Sequence, residues 1–94
     1  MKTLVWSAGF KRAFKRVGRR QPALQAKIQR TIELLAEDPF HPVLRSHKLK
    51  GELVGTWACK VDYDNRILFE FVSNPESGEE EILLLTMGTH EEVY

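Results

Sequence analysis

The sequence predicts an α+β domain in which two N-terminal helices pack on a mostly antiparallel, four-stranded sheet. Apolar residues recur at helical spacing in the first part of the chain, whereas strand-like runs separated by turn residues make up the second. Packing both helices on one sheet buries the apolar surface of each element. A chain of 94 residues has room for a single core, so we predict one domain over residues 1–94.

The opening strand and the first helix follow from capping and spacing. Lys2–Trp6 is the predicted strand, and Ser7 is a good N-cap for the helix that follows. The apolar positions of that helix recur at helical spacing: Phe10, Phe14 and Val17. Gly18 offers a stop, so we expect a short, amphipathic first helix.

The second helix has the clearest signals. Pro22 suits the first position of a helix, and Asp38-Pro39 is a breaker. Between them, apolar residues follow at intervals of four, four and three: Leu24, Ile28, Ile32 and Leu35. The prolines of residues 39–51 disfavour helix, and we expect an extended loop there.

Strands are predicted for the remainder of the chain. Val54–Tyr63 and Arg66–Ser73 are strand-like runs joined at Asp64-Asn65, a pair suited to a tight hairpin. A turn follows at Asn74–Gly78. Ile82–Thr86 is nearly all apolar, which suits a strand buried on both faces.

The charges are unevenly divided along the chain. Residues 1–50 contain 12 Lys and Arg against 3 Asp and Glu, whereas residues 51–94 contain 2 against 10. Such a basic segment favours a polyanionic partner, because cations gain affinity by releasing the counterions of phosphates. The alternative is that the first helix simply has a solvated basic face, or that its cations pair with the acidic half.

Several classes of protein are disfavoured by what the sequence lacks. The lone Cys59 excludes an intramolecular disulfide, and the N-terminus has no apolar run of the length that a signal peptide or membrane span needs. We therefore expect a soluble cytoplasmic protein with no membrane partner. Without a Gly-rich phosphate loop, a Cys-x-x-Cys pair or a His-x-x-x-His helix, we predict neither a cofactor nor a metal.

Four segments together point to a known family. They are His47-Lys48-Leu49-Lys50-Gly51, Gly55-Thr56-Trp57, Arg66-Ile67-Leu68-Phe69, and Gly88-Thr89-His90 followed by Tyr94. In this order, after one strand and two helices, they resemble the RelE/ParE superfamily of type II toxins, especially its YafQ-like mRNA interferases. The resemblance covers nearly the whole chain.

The resemblance implies a RelE-like fold and an endoribonuclease that cuts mRNA in the ribosomal A site and is restrained by a cognate antitoxin. mRNA, the ribosome and the antitoxin are thus the expected partners. Carried over to this chain, the catalytic residues are His47, Asp64, Arg66, His90 and Tyr94. The implied substrate-binding residues are Lys48, Lys50 and Lys60, of which Lys60 replaces a histidine of the YafQ-like pattern.

The residues also support this chemistry on physical grounds. Metal-independent cleavage of RNA needs a base for the 2′-OH, cations for the charged transition state and an acid for the departing oxygen. His47 or Asp64 is the candidate base and His90 the candidate acid. Arg66 with the lysines would stabilise charge, and Tyr94 would stack on a base. The products would be a 2′,3′-cyclic phosphate and a 5′-OH end.

Two other functions are compatible with the same fold. ParE-like toxins of this superfamily inhibit DNA gyrase by protein contact, without nuclease activity. The feature that distinguishes the two functions is the set His47, Arg66, His90 and Tyr94. A gyrase-binding protein does not need a proton-transfer pair, so this set favours the nuclease. The third possibility is a nucleic-acid-binding protein without activity, for which Lys60 in place of a histidine is the only sign.

Overall fold

The described chain folds into two main helices packed against one mixed sheet. The structure is a computed structural model that describes residues 1–51 and 54–93. In this part of the chain the helices are α1 (Ala8–Arg20), α2 (Pro22–Glu37) and the short α3 (His90–Val93). The strands are β1 (Leu4–Trp6), β2 (His47–Lys48), β3 (Trp57–Lys60), β4 (Asn65–Ser73) and β5 (Glu80–Thr89).

The sheet has the strand order β1-β5-β4-β3-β2. β1 is parallel to β5, and the other neighbours are antiparallel. The predicted α+β class is confirmed, but the predicted count of four strands is wrong, because the described residues form five. The extra strand is β2, which pairs with the start of β3.

The segment predicted as an extended loop therefore has structure of its own. Pro42–Leu44 forms a single 3-10 turn, because proline suits the start of a helical turn as well as a loop. His41 caps this turn by accepting a hydrogen bond from the Val43 N–H at Nδ1. The chain then extends, and His47 and Lys48 pair with Ala58 and Trp57.

Helix α1 begins where the sequence predicted and ends later. The Ser7 hydroxyl accepts a hydrogen bond from the Phe10 N–H at 3.0 Å and donates one to the Leu85 carbonyl at 3.0 Å, which joins the helix to β5. Gly18 does not stop the helix. Instead the Gln25 amide of α2 lies over Gly18 and donates to the Phe14 carbonyl, in space that a β-carbon at position 18 would fill.

The predicted start and end of α2 are confirmed, and the apolar faces of both helices form the core with one face of the sheet. Phe10, Ile28, Ile32 and Leu35 are almost completely buried. They pack against buried side chains of the sheet: Cys59, Ile67, Phe69, Ile82 and Leu84. None of the described helices combines the length and the apolar character that crossing a bilayer requires.

The hairpin differs from the prediction in its turn. β3 ends at Lys60 and β4 starts at Asn65, so the connection is a loop of residues 61–64 rather than a turn at Asp64-Asn65. The Asp62 carboxylate explains the shift, because it accepts hydrogen bonds from the Asp64 N–H and from the N–H and side-chain amide of Asn65. These bonds close a four-residue loop in which Asx chemistry sets the geometry.

The last strand is longer than predicted. It covers Glu80–Thr89 instead of Ile82–Thr86, because pairing with the long β4 extends to Thr89. A bulge interrupts this ladder, where Leu68 pairs with Thr86 and the next residue, Phe69, pairs with Leu84. The polar tail after β5 begins with the short helix α3, for which the sequence analysis predicted no element.

The double role of Ser7 leads to a stability prediction. Ser7→Ala removes the cap and the bond to the Leu85 carbonyl, so we expect the free energy of unfolding to fall by about 1–2 kcal/mol. Ser7→Thr keeps a hydroxyl and should lose much less. Urea unfolding followed by circular dichroism measures both, and equal midpoints for Ser7→Ala and the wild type would contradict the assignment.

Candidate active site

One face of the sheet points away from α1 and α2, and several predicted site residues lie on it. We call it the open face, although its residues Ala58 and Leu68 are buried. Cross-strand partners share a face, and residues on that face alternate along each strand. The first row across the sheet, from β2 to β5, is His47, Ala58, Leu68 and Thr86. The second row, from β3 to β5, is Lys60, Arg66 and Gly88. Two cations, Lys60 and Arg66, are therefore neighbours on the open face.

The Arg66 side chain is fixed by the loop between β3 and β4. Its Nη1 donates to the carbonyls of Asp62 at 2.7 Å, Tyr63 at 3.1 Å and Asn65 at 3.0 Å. A guanidinium held in this way loses little conformational entropy when it meets an anion. Arg66 is thus a pre-positioned cation.

Asp62 holds the same loop from the other side. Burial raises its pKa, but the hydrogen bonds from Asn65 and Asp64 and the charge of Lys27 outweigh that effect, so the pKa of Asp62 is lowered. Lys27 lies on α2, with its Nζ 3.8 Å from the carboxylate. An ionised Asp62 is the better acceptor for the three donors that close the loop.

An open cleft of about 600 Å³ brings three of the predicted catalytic residues together. It is lined by Tyr63, Asp64, Arg66, Thr89, His90 and Glu91. The His90 N–H donates to the Asp64 carbonyl at 2.8 Å, which ties the tail to the loop. Asp64, Arg66 and His90 therefore border one space, and their side chains are a carboxylate, a guanidinium and an imidazole.

The Gly-Thr-His sequence is explained by the way α3 starts. Thr89 and Glu92 form a capping box, in which the Thr89 N–H donates to Glu92 Oε1 at 2.8 Å and the Glu92 N–H donates to Thr89 Oγ1 at 3.2 Å. These bonds from Thr89, more than the charge of Arg16, lower the pKa of Glu92. A β-carbon at Gly88 would lie 3.2 Å from atoms of Glu92 and Val93, so glycine lets α3 pack closely. His90 is thereby placed at the first position of α3.

His47 shares the open face but is not among the described residues that line the cleft. Two strand spacings, about 10 Å, separate its strand from that of Arg66. The His47 Nδ1 lies 3.0 Å from the Arg45 carbonyl. A carbonyl can only accept, so Nδ1 donates and Nε2 of the neutral ring is the acceptor. Arg45 has φ 48°, in the left-handed region, and this backbone conformation directs its carbonyl to His47.

The three predicted substrate-binding lysines lie in different surroundings. Lys48 alternates with His47, and its Nζ is 5.6 Å from the centre of the Trp57 ring, on the side of the sheet away from the open face. Lys50 is exposed in the loop that follows β2. Lys60 is beside Arg66 and also borders a cavity between α2 and β3. Tyr94 lies outside the described residues.

Cys59 is the only cysteine of the chain, and it lies in the core. Burial raises the pKa of its thiol to about 12. The thiolate, which is the nucleophilic form, is therefore not populated near neutral pH. Cys59 acts as a small apolar residue.

Sequence reasoning missed residues that shape the site. Asp62 and Thr89 could have been recognised, since Asp62-x-x-Asn65 is typical of an Asx-stabilised loop and Thr89-x-x-Glu92 is a capping-box pattern. Arg45 carries no local signal, because arginine is not a residue that favours positive φ. Arg16 and Arg20 of α1 line a second cavity, which shares Arg66 and Thr89 with the cleft.

Known proteins resemble the chain in sequence and fold. The family model described as the bacterial toxin of type II toxin–antitoxin systems, YafQ, matches residues 2–94. Toxin YoeB of Mycobacterium bovis is 28% identical over 64 residues, which are 68% of each chain. The crystal structure of YafQ from E. coli has a TM-score of 0.78 at 17% identity and covers 100% of this chain and 99% of its own. The E. coli DinJ–YafQ complex has a TM-score of 0.76, also at 17% identity, with the same coverage.

The backbone of Arg45 gives a prediction for the loop before β2. An L-residue in the left-handed region costs about 1–2 kcal/mol, a cost that glycine avoids and a β-branched residue increases. We expect the free energy of unfolding of Arg45→Gly to lie within about 1 kcal/mol of the wild-type value. That of Arg45→Val should be lower than that of Arg45→Gly by about 1–2 kcal/mol. Urea unfolding of both variants tests this, and an equally stable Arg45→Val would refute the strained conformation.

Proposed function

We propose that this chain, which belongs to the YafQ family of bacterial type II toxins, is an endoribonuclease that cleaves mRNA in the ribosomal A site. The observation that carries the proposal is the cleft bordered by Asp64, Arg66 and His90. It combines a carboxylate, a fixed guanidinium and an imidazole, which are the groups that metal-independent RNA cleavage uses.

In the proposed reaction the 2′-oxygen of one nucleotide attacks the neighbouring phosphorus. Its proton passes to a general base as the bond from the 2′-oxygen to phosphorus forms. The bond from phosphorus to the 5′-oxygen breaks, and His90 donates a proton to that oxygen. The products are a 2′,3′-cyclic phosphate and a 5′-OH end, so no water is consumed in this step.

Arg66 is proposed to stabilise the charge that develops on the phosphoryl oxygens. Nη1 is bound to the loop carbonyls, and these bonds orient the planar group before the substrate arrives. A pre-oriented donor of this kind typically contributes about 10²–10³-fold to the rate. Lys60 is the cross-strand partner of Arg66 and adds positive charge in the same row. Tyr94, at the end of the tail, is proposed to stack on a base.

Two residues are candidates for the general base. Asp64 borders the cleft directly, whereas His47 lies on the same sheet face with Nε2 as the proton acceptor. Imidazoles as a class are stronger bases than carboxylates near neutral pH, whereas a carboxylate in the cleft has the shorter path to the substrate. The two alternatives predict different results for the variants His47→Ala and Asp64→Asn, because only the variant that lacks the base should change how the cleavage rate depends on pH.

Removing His90 should nearly abolish cleavage. A positioned general acid contributes roughly 10²–10⁴-fold, and His90→Ala leaves the backbone bond from its N–H to Asp64 intact. The measurement is primer extension on mRNA translated with the purified protein, with ribosomes present or absent. His41→Ala is the matched control, since His41 caps a turn outside the cleft.

The same assay distinguishes the candidate bases. Cleavage by a general base rises with pH until the base is deprotonated, so the variant that lacks the base loses this rising limb. We compare His47→Ala with Asp64→Asn across the pH range. A fully active His90→Ala would overturn the acid assignment, and absence of cuts by the wild type in every lane would indicate gyrase inhibition or RNA binding alone.

We further propose that a cognate antitoxin holds the protein inactive. The DinJ–YafQ complex and the YoeB–YefM complex from Staphylococcus aureus are solved structures with this fold. In this chain, α1 carries six exposed cations and no acidic residue. An acidic, partly disordered segment that folds on binding would complement such a surface.

We expect the product of the neighbouring antitoxin gene to co-purify with the protein and to suppress the primer-extension cuts. The interaction should weaken as salt is raised, because exposed charges are screened. An unrelated acidic protein of similar net charge is the control. An antitoxin that binds tightly while the cuts persist would show that it does not inhibit by covering the cleft.

A further inference from the structure

A second cavity lies next to the cleft, between α1 and the end of the sheet. Its volume is about 250 Å³, and two residues, Arg66 and Thr89, line both spaces. Its apolar wall is formed by Val17, Leu24, Ile28, Val61 and Met87. The cavity and the cleft are therefore adjacent.

The cavity is also strongly cationic. Arg16 and Arg20 are one helical turn apart on α1 and line it together with Arg66. The ion pairs found among the described residues join Lys2 with Glu80 and Lys27 with Asp62, so none of them neutralises these arginines. The one acidic residue among its described lining residues is Glu92. Three arginines and one glutamate thus line the cavity, and two of the arginines, Arg16 and Arg20, belong to α1.

We propose that this cavity is a nucleotide subsite, which binds the RNA nucleotide adjacent to the scissile bond. Its base would pack on the apolar wall, and its phosphate would bind Arg16 and Arg20. Guanidinium groups bind phosphate through two parallel, charge-assisted hydrogen bonds. The inference deepens the proposed function, since it concerns the substrate of the same cleft.

The size and position of the cavity favour RNA over other ligands. Pockets for drug-sized molecules have volumes of about 300–1,000 Å³, so this smaller space suits one ring system rather than a complete cofactor. An apolar wall beside a cationic rim is the combination with which proteins bind single-stranded nucleic acid. Because Arg66 and Thr89 line both the cavity and the cleft, a strand whose scissile phosphate lies in the cleft would have its neighbouring nucleotide at the cavity.

Glu92 is a competitor for the phosphate in this subsite. Its Oε1 accepts from the Thr89 N–H at 2.8 Å, which holds the carboxylate at the cavity that Arg16 also lines. A phosphate that binds Arg16 must overcome repulsion from this carboxylate or displace it. Glu92→Gln keeps an acceptor for the capping box but removes the charge, so it should tighten the binding of RNA.

The experiment measures binding of a short RNA that cannot be cut. The probe is a trinucleotide with 2′-O-methyl groups, compared with the two dinucleotides that it contains, and binding is measured at several salt concentrations. We expect the double variant Arg16→Gln/Arg20→Gln to bind the trinucleotide about tenfold more weakly than the wild type, or weaker still. The slope of log affinity against log salt should fall by about 0.7 for each phosphate that the variant no longer neutralises.

A matched control separates a specific subsite from general charge. Lys11→Gln/Arg19→Gln removes the same charge from exposed positions of α1 that do not line the cavity. It should bind the trinucleotide within about twofold of the wild type. The subsite also predicts coupling, since the third nucleotide should add affinity in the wild type and in the control but not in Arg16→Gln/Arg20→Gln.

The outcomes distinguish failure of the subsite from failure of the nuclease. Equal loss of binding in the two double variants, or no loss in either, would overturn the subsite even if the wild type cleaves RNA. A specific loss would support the subsite even if the wild type proves unable to cleave. If Arg16→Gln/Arg20→Gln weakens only the binding of the antitoxin, the subsite is overturned and the cavity is a protein-binding surface.

Glu92→Gln should bind the trinucleotide severalfold more tightly than the wild type. Its control, Glu76→Gln in the distant turn, should bind the trinucleotide as the wild type does.

Discussion

The pairing of β4 with β5 is the constraint on which the rest of the site depends. The last pair of this ladder is Asn65 with Thr89, and the His90 N–H then donates to the Asp64 carbonyl. This register brings the loop before β4 and the tail after β5 to the same end of the sheet. A slip by one residue would move Arg66 from the open face to the core face, so the buried side chains specify the geometry of the cleft.

The bulge in β5 links the core to the cleft. Leu84 and Met87 both face the core although three positions separate them, because the bulge adds one residue between them. Beyond the bulge, Thr86 and Gly88 face the open side, which strict alternation from Leu84 would have turned inward. The carbonyl of Leu85, within the bulge, also accepts the Ser7 hydroxyl bond that attaches α1. The same irregularity therefore positions both the first helix and the tail.

The charges of α1 have more than one role in this arrangement. All six of its cations are exposed to solvent, and a polar helix face of this kind suits a polyanionic partner. Arg16 and Arg20 differ from the rest, since they also line the cavity beside the cleft. The helix thus contributes both a broad basic surface and two specific groups, whereas the sheet contributes the fixed Arg66. Spatial separation of the charges explains how a net charge of only +1 is compatible with a cavity lined by three arginines and one glutamate.

The sequence by itself determined the local features of this protein. The cap at Ser7, the start and end of α2 and the β-rich second half follow from residue type and short spacing, whereas Asp64, Arg66 and His90 were predicted as catalytic residues from the resemblance to a known family. The tertiary structure decided the fifth strand, the loop closed by Asp62, the continuation of α1 past Gly18 and the placement of Arg16 and Arg66 around one cavity. These features depend on contacts between residues far apart in sequence, whereas local patterns report only on neighbours within a turn or a strand. Lys48 illustrates the difference: the family resemblance implies a phosphate contact for it, and only the strand pairing shows that its Nζ lies 5.6 Å from the centre of the Trp57 ring.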